Sequence, residues 1–438
     1  MSDQRTAYLE QTSGFEMKTL SSRVLGWIPT LAVLYSSLLS PFLIHFGSGD
    51  GSDANITASQ PNAINQLFWI GLFGLTLAAA GRRLTNLFRL AKEPVVIAVL
   101  AYLFLAFLSV SWSPVPGVAF RRLVQQAIVI FCMLIPVILA DDRNFIVGRV
   151  LLFAVFTVAI NAVAVVVIPP TPIGYAGIYS QKNALGAIMA LAWIFCLYGI
   201  ASQHGWKRLG LLATAALAMV LLVLSQSKTS LGLAILIPAA AYFIVDLSYR
   251  LRINAALLLL FFAALGIVLA AYISAMTRFG FSELSMLLFH DETFTGRTVI
   301  WAFVVDVISR SALIGQGYSS FWGIGADSIV FREAPSFVVT LLQSHNGYLD
   351  VLLETGAIGL LILIFLIFAS LFSAARLVPF DRPTAWLCFT LLLLVICHNS
   401  LESSWFRGYS QIWLLFLFAA LLPASAVQPA APNINDRI

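Results

Sequence analysis

GRTVIW at 296–301, GQGYSSFW at 315–322 and SHNGYLDVLLETGAIGL at 344–360 mark the longest polar interval of this 438-residue chain, which runs from 275 to 346. On either side of it the sequence is a series of apolar runs about 20 residues long, the length an α-helix needs to cross a bilayer. A bilayer core offers backbone groups no water, so runs of this kind read as helices, which satisfy their own hydrogen bonds. The interval therefore divides an all-α polytopic membrane protein into nine spans before it and three after it. These fall at about 24–46, 66–81, 94–111, 123–140, 150–168, 184–201, 209–225, 231–247, 254–274, 347–372, 384–400 and 411–424.

Composition agrees with that reading. Hydrophobic residues make up 60% of the chain, charged residues only 10%, and mean hydropathy is +0.93. A soluble domain carries about 25% charged residues, so most of this surface is not built to face water. The net charge of +5 serves topology and anionic lipid, and gives no reason to expect nucleic acid. No Walker loop, HExxH or metal-type cysteine spacing occurs, and Cys132, Cys196, Cys388 and Cys397 all lie in apolar runs. No cofactor or metal is expected.

Basic residues set the orientation. With residues 1–22 as a cytoplasmic tail, 16 of the 25 Lys and Arg fall in inner connectors or tails, as the positive-inside rule requires. The domains are then a membrane part over 23–274, a large periplasmic loop over 275–346, a second membrane part over 347–424 and a cytoplasmic tail over 425–438. Nine basic residues remain on the outer side: Arg121, Arg122, Lys182, Lys228, Arg278, Arg297, Arg310, Arg332 and Arg407. An anionic ligand such as a lipid-linked diphosphate would explain them; snorkelling to outer headgroups is the plainer alternative.

Within that set, Arg297 and Trp301 share a helix face at i,i+4, suited to gripping phosphate beside a ring or to anchoring at the interface. Lys182 and Asn183 stand at a helix start, where an anion is favoured. Lys228 lies in LSQSKTSLG, a polar break between two apolar runs, and Arg407 in SLESSWFRGYS is a similar, weaker candidate. His345, one of five histidines, stands where the polar interval meets the tenth span, and a histidine near neutrality can take a proton from a sugar hydroxyl. Asp350 and Glu354 follow on the same helix. Carboxylates in an apolar span face a polar interior, but Glu354 lies about 180° round the helix from His345 and reads as a network residue. Gly356 and Gly359 are expected to allow close helix packing. GQGYSSFW is expected to face an acceptor.

These motifs, with SVSWSPVPGVAFRR and GIYSQKNALG, resemble the O-antigen ligase and Wzy-type polymerase family, most closely its ExoQ (succinoglycan-type) exopolysaccharide polymerases. The likeness covers roughly residues 66–424. It implies a GT-C-like fold and a metal-independent glycosyltransferase in the bacterial inner membrane, with its active face periplasmic. It further implies an undecaprenyl-diphosphate-linked oligosaccharide as donor, two basic residues at the diphosphate and a histidine that activates the acceptor. By motif these are Arg297, Lys228 and His345. The ligases typically have arginine where this chain has Lys228, which keeps the charge but not the fork. Membrane lipids, a chain-length regulator and export proteins complete the partners such an enzyme would have. Transfer to another lipid-linked unit makes it a polymerase, and transfer to lipid A core a ligase. A lipid-linked sugar flippase is the reading from another class, disfavoured because the unexplained charges gather at one surface and not at the midplane. A purely structural scaffold would leave them unexplained.

Overall fold

The computed structural model describes residues 20–41, 62–86, 92–139, 142–277, 296–325, 328–408 and 410–424, together with Glu283 and Met286. Most of both tails, the Gly/Ser-rich connector around 47–61 and Arg278 lie outside the described residues. Among those described, helices dominate and no β-strand occurs. Ten helices are long and apolar enough to cross a membrane, which makes this a multi-pass membrane protein. They are α1 (Leu20–Leu39), α2 (Ala63–Thr85), α3 (Pro94–Trp112), α4 (Pro116–Leu139), α5 (Arg143–Val167), α6 (Lys182–Ser202), α7 (Gly205–Leu224), α8 (Lys228–Leu251), α9 (Ala255–Thr277) and α12 (Gly347–Ala375). Between α9 and α12 stand the shorter α10 (Arg297–Ser309) and α11 (Ile329–Glu333). After α12 come α13 (Arg382–His398, 17 residues) and α14 (Gln411–Leu421, 11 residues), both apolar.

Local chemistry sets many of these ends. Asn62, Asp142, Asn346 and Asp381 each accept a backbone N–H of the first helical turn, and proline opens α3. The core forms around the two shortest apolar helices. From Trp413 to Leu421 every side chain of α14 is fully buried, packed against α3, α4, α12 and α13. Eleven residues rise only about 16 Å, roughly half a hydrocarbon core, so the helix at the twelfth expected position is shorter than the ten long ones. By contrast α9, which packs on α8 and α12, leaves Leu265, Ile267, Val268 and Tyr272 exposed, an apolar surface suited to lipid.

The polar interval is ordered structure where it is described. Ile300, Val304 and Val307 of α10 form a small core with Phe321, Trp322, Val330, Val338 and Leu353. The interval also enters α12 itself. At Gly356 that helix breaks, with φ +65 and ψ −167, a region open essentially to glycine alone. Residues 312–317 fill the break. Gln316 N and Gly317 N donate to the Leu353 and Glu354 carbonyls at 2.9 and 2.8 Å, while Ala357 N and Ile358 N donate to Ala312 O and Leu313 O at 2.9 and 3.3 Å. Two lost helical bonds are thus replaced by four bonds to a wedge of chain. A Cβ at Gly356 would overlap the Leu313 carbonyl. The sequence reading of Gly356 as a helix-packing glycine is corrected accordingly: it is the seat of an inserted loop.

Candidate functional site

The SHNG motif turns the chain sharply into α12. His345 takes φ +55, a left-handed conformation that costs a non-glycine residue roughly 1–3 kcal/mol. Bonds on both sides hold it there. Ser344 N donates to the Asp350 carboxylate at 3.2 Å, Trp301 Nε1 donates to Ser344 O at 3.1 Å, and Ser344 Oγ donates to Asn346 O at 2.8 Å. Gly347 then lies flat on the connector between α13 and α14, its N–H shared by Asn399 O at 2.8 Å and Glu402 O at 3.0 Å. A Cβ at 347 would strike the Asn399 side chain and Trp405, so the motif requires glycine there.

That docking delivers Glu402 to His345. Nδ1 of His345 lies 3.0 Å from Glu402 Oε2, and Arg297 Nη2 donates to Oε1 at 3.1 Å. Asn183 Nδ2 donates to Oε1 at 3.0 Å and Gln343 Nε2 to Oε2 at 3.2 Å. The side chains of Arg297, His345 and Glu402 are only 10%, 16% and 15% exposed. Burial pushes the Glu402 carboxyl up, but the hydrogen bond and field of His345, with the fields of His398 and Arg297, hold it below the usual carboxylate range. When the imidazole is neutral, an anionic Glu402 selects the tautomer in which Nδ1–H donates to it and the Nε2 lone pair is left as a base.

Around this centre, α6 and α8 begin side by side. Lys182 opens α6 and Lys228 opens α8; Lys182 Nζ donates to Ile173 O at 3.0 Å and lies 3.5 Å from Gln226 O, two residues before Lys228. Lys228 is exposed. Two helix N-termini, each opened by a lysine, thus adjoin the edge of the site that Asn183 occupies, an arrangement favourable to an anion.

Arg122 and Arg407 belong to a second, internal network. Arg122 Nη1 and Nη2 donate to Ser319 O at 2.6 Å, Trp322 O at 3.2 Å and Gly323 O at 2.9 Å. Arg407 pairs with Asp350 at 3.1 Å and Glu354 at 3.5 Å; burial disfavours its charge, but the two carboxylates and the hydrogen bond to Asp350 together outweigh that and keep its guanidinium more firmly charged than usual. Glu354 Oε2 accepts Ser319 N at 2.9 Å, away from His345. Arg121, half-buried, precedes Arg122 on α4. Arg310 bridges Asp306 and Glu333 on the surface. Protein partners therefore account for Arg122, Arg310 and Arg407. GQGYSSFW belongs to this network too: Tyr318, Phe321 and Trp322 are buried, and the motif is an internal brace, not an open acceptor face.

The structure thus brings His345, Arg297 and Asn183 together and sets Trp301 behind them. It joins them through Glu402, which the sequence reading did not single out. The signal was present: Glu402 is the sole acidic residue between Asp381 and Asp436. Among the described residues no group of three or more His, Cys, Asp or Glu is placed to hold a metal ion.

Comparison with known proteins adds two findings. Residues 213–364, from within α7 to within α12, match the family model described as O-Antigen ligase. The chain is also similar to the exopolysaccharide production protein ExoQ of Rhizobium meliloti (strain 1021), at 26% identity over 339 residues, covering 74% of this chain and 75% of that relative.

Proposed function

We propose that this chain, ExoQ-like within the O-antigen ligase and Wzy-like family, is a polysaccharide polymerase of the bacterial inner membrane. It moves a glycan from an undecaprenyl-diphosphate-linked repeat unit to a hydroxyl of another lipid-linked unit, on the periplasmic side, without a metal and with inversion. The observation that carries the reading is the His345–Glu402–Arg297 cluster, in which one carboxylate holds a histidine and an arginine 3.0 and 3.1 Å away.

The chemistry follows from that geometry. His345 Nε2 takes the proton of the acceptor hydroxyl as its oxygen attacks the anomeric carbon. The bond from that carbon to the diphosphate oxygen breaks, and the electron pair leaves with the diphosphate. Arg297, Lys228 and Lys182 offset the negative charge that builds there. Direct displacement inverts the anomeric centre. The exposed apolar flank of α9 gives the lipid tail a surface to lie along. In this reading α13 and α14 complete twelve membrane passages, with both termini cytoplasmic, 275–346 outside, and a chain-length regulator and export proteins as partners.

A role in exopolysaccharide production, as the relative's name has it, fits a polymerase; the family model's description keeps ligase, with lipid A core as acceptor, as the second reading. A strain lacking the protein, complemented with wild type or with His345→Ala, Arg297→Ala or Lys228→Ala, tests both. The three variants should be made at normal level, yet leave single lipid-linked units outside the inner membrane. Long polymer unattached to core would point to ligase, and units held on the cytoplasmic side to a flippase. Normal polymer from all three variants would sink the mechanism.

A further inference from the structure

We propose that Asp350 is a positioning residue, whose buried carboxylate sets the turn carrying His345 against the connector carrying Glu402. Its kinetic readout rests on the transfer reading above; its geometry does not. Asp350 is 3% exposed and takes donors from three separate segments. Trp322 Nε1 reaches Oδ1 at 2.9 Å from the GQGYSSFW brace, Ser344 N reaches Oδ1 and Oδ2 at 3.2 and 3.3 Å, and Arg407 Nη2 reaches Oδ2 at 3.1 Å. Ser344 is the residue before His345, and Arg407 follows Glu402 by five. One carboxylate on the first turn of α12 therefore ties down both halves of the His345–Glu402 pair, acting through the backbone of one and the connector of the other.

All three partners are donors, so the site needs an acceptor on every side. Only an ionised carboxylate offers that. Asparagine keeps the shape but turns an NH2 toward either Arg407 or Ser344, donor against donor. The expected consequence is a small rotation of the His345 turn away from Glu402, with substrate contacts at Arg297 and Lys228 left in place. Misplacing a catalytic group by about 1 Å costs on the order of 10²-fold in rate.

Full-length protein in lipid nanodiscs is assayed with the lipid-diphosphate-linked repeat unit extracted from the deletion strain. Asp350→Asn should lose about 10²-fold in kcat with KM held within about twofold, since the lost interaction belongs to the reacting geometry and not to binding. Independently of substrate, 15N-histidine labelling reads the Nδ1–H of His345, identified by its loss in His345→Ala. That resonance should move in Asp350→Asn toward the position it takes in Glu402→Gln. Should Asp350→Asn fail to fold, Trp322→Phe removes one donor while keeping an aromatic ring in the brace and should shift kcat and the resonance in the same direction. Unchanged kcat and resonance in whichever variant folds overturns the proposal. So does a kcat loss matched by the loss of folded protein, with the resonance unmoved. Wild type that transfers nothing while its imidazole resonance responds to Asp350→Asn overturns the transfer reading and upholds the positioning role.

Discussion

At the scale of single residues, the site is a problem of holding a base in an uncomfortable conformation and giving it a counter-ion. His345 at φ +55 persists because Asp350, Trp301 and Asn346 fix the backbone on either side of it. Its ring is then oriented by Glu402. Glu402→Gln should lower turnover by roughly 10²-fold, at the low end of what a general base contributes, and His345→Ala by up to about 10⁴-fold; transfer assays on purified protein check both. Acid sensitivity follows from the Glu402 carboxyl, held below the usual range against burial by His345, His398 and Arg297. Its stabilising contribution is fully present above the unfolded value of 4.5 and is lost as pH falls through the lower folded value. Wild type should therefore show an acid limb of thermal stability below about pH 4.5 that Glu402→Gln flattens, measured by melting in detergent across pH. Arg297 and His345 could be singled out in the sequence because each stands in a motif at a helix start, and His345 is one of only five histidines. Glu402 was not singled out because its partners come from segments 105 and 57 residues away, and nothing local to SLESS announces a contact of that kind.

At the scale of elements, the decisive piece is the wedge of 312–317 in the break of α12. Both the helix limits and the two carboxylates of α12 could be read from the sequence, yet the break could not. Glycines in an apolar helix usually signal close packing, and a broken helix needs a partner segment to make it affordable. The glycine at 356 occupies a backbone region where a side chain costs about 1–3 kcal/mol before any overlap is counted, and a Cβ there meets the Leu313 carbonyl. Gly356→Ala should thus lower the melting temperature clearly, with loss of at least ~2 kcal/mol, whereas the same change at exposed Gly210 of α7, where a Cβ meets nothing within 4 Å, should be nearly neutral. Arg407→Ala leaves Asp350 and Glu354 buried without their cation, and breaking such a pair costs about 3–5 kcal/mol; Arg407→Lys should recover part of that loss. Denaturation in matched detergent distinguishes the two.

At the scale of the whole molecule, hydropathy and charge were enough to read an all-helical, multi-pass bundle, because lipid leaves the backbone little choice. They placed a helix at each of the twelve expected positions, but ten of these have the length to cross a membrane and α13 and α14 are shorter. Periodicity does not report that distinction, since a buried helix in a bundle and a span facing lipid are equally apolar. Topology reporters give the test. Fusions after 252 and after 424 should behave as cytoplasmic, and fusions within 326–327 as external. An external signal after 424 would mean that α13 and α14 together cross the membrane only once.

The wedge also bears on how the chain is made. Residues 312–317 leave the ribosome before α12 does, so the segment that completes the helix is already synthesised when the exposed carbonyls of Leu353 and Glu354 arrive. A nascent α12 need never wait in lipid for a distant, later partner. Reversing that order, by a circular permutation that joins residues 1 and 438 and opens the chain within 326–327, would deliver the break before its filler and leave those backbone groups unpaired in the membrane during biogenesis.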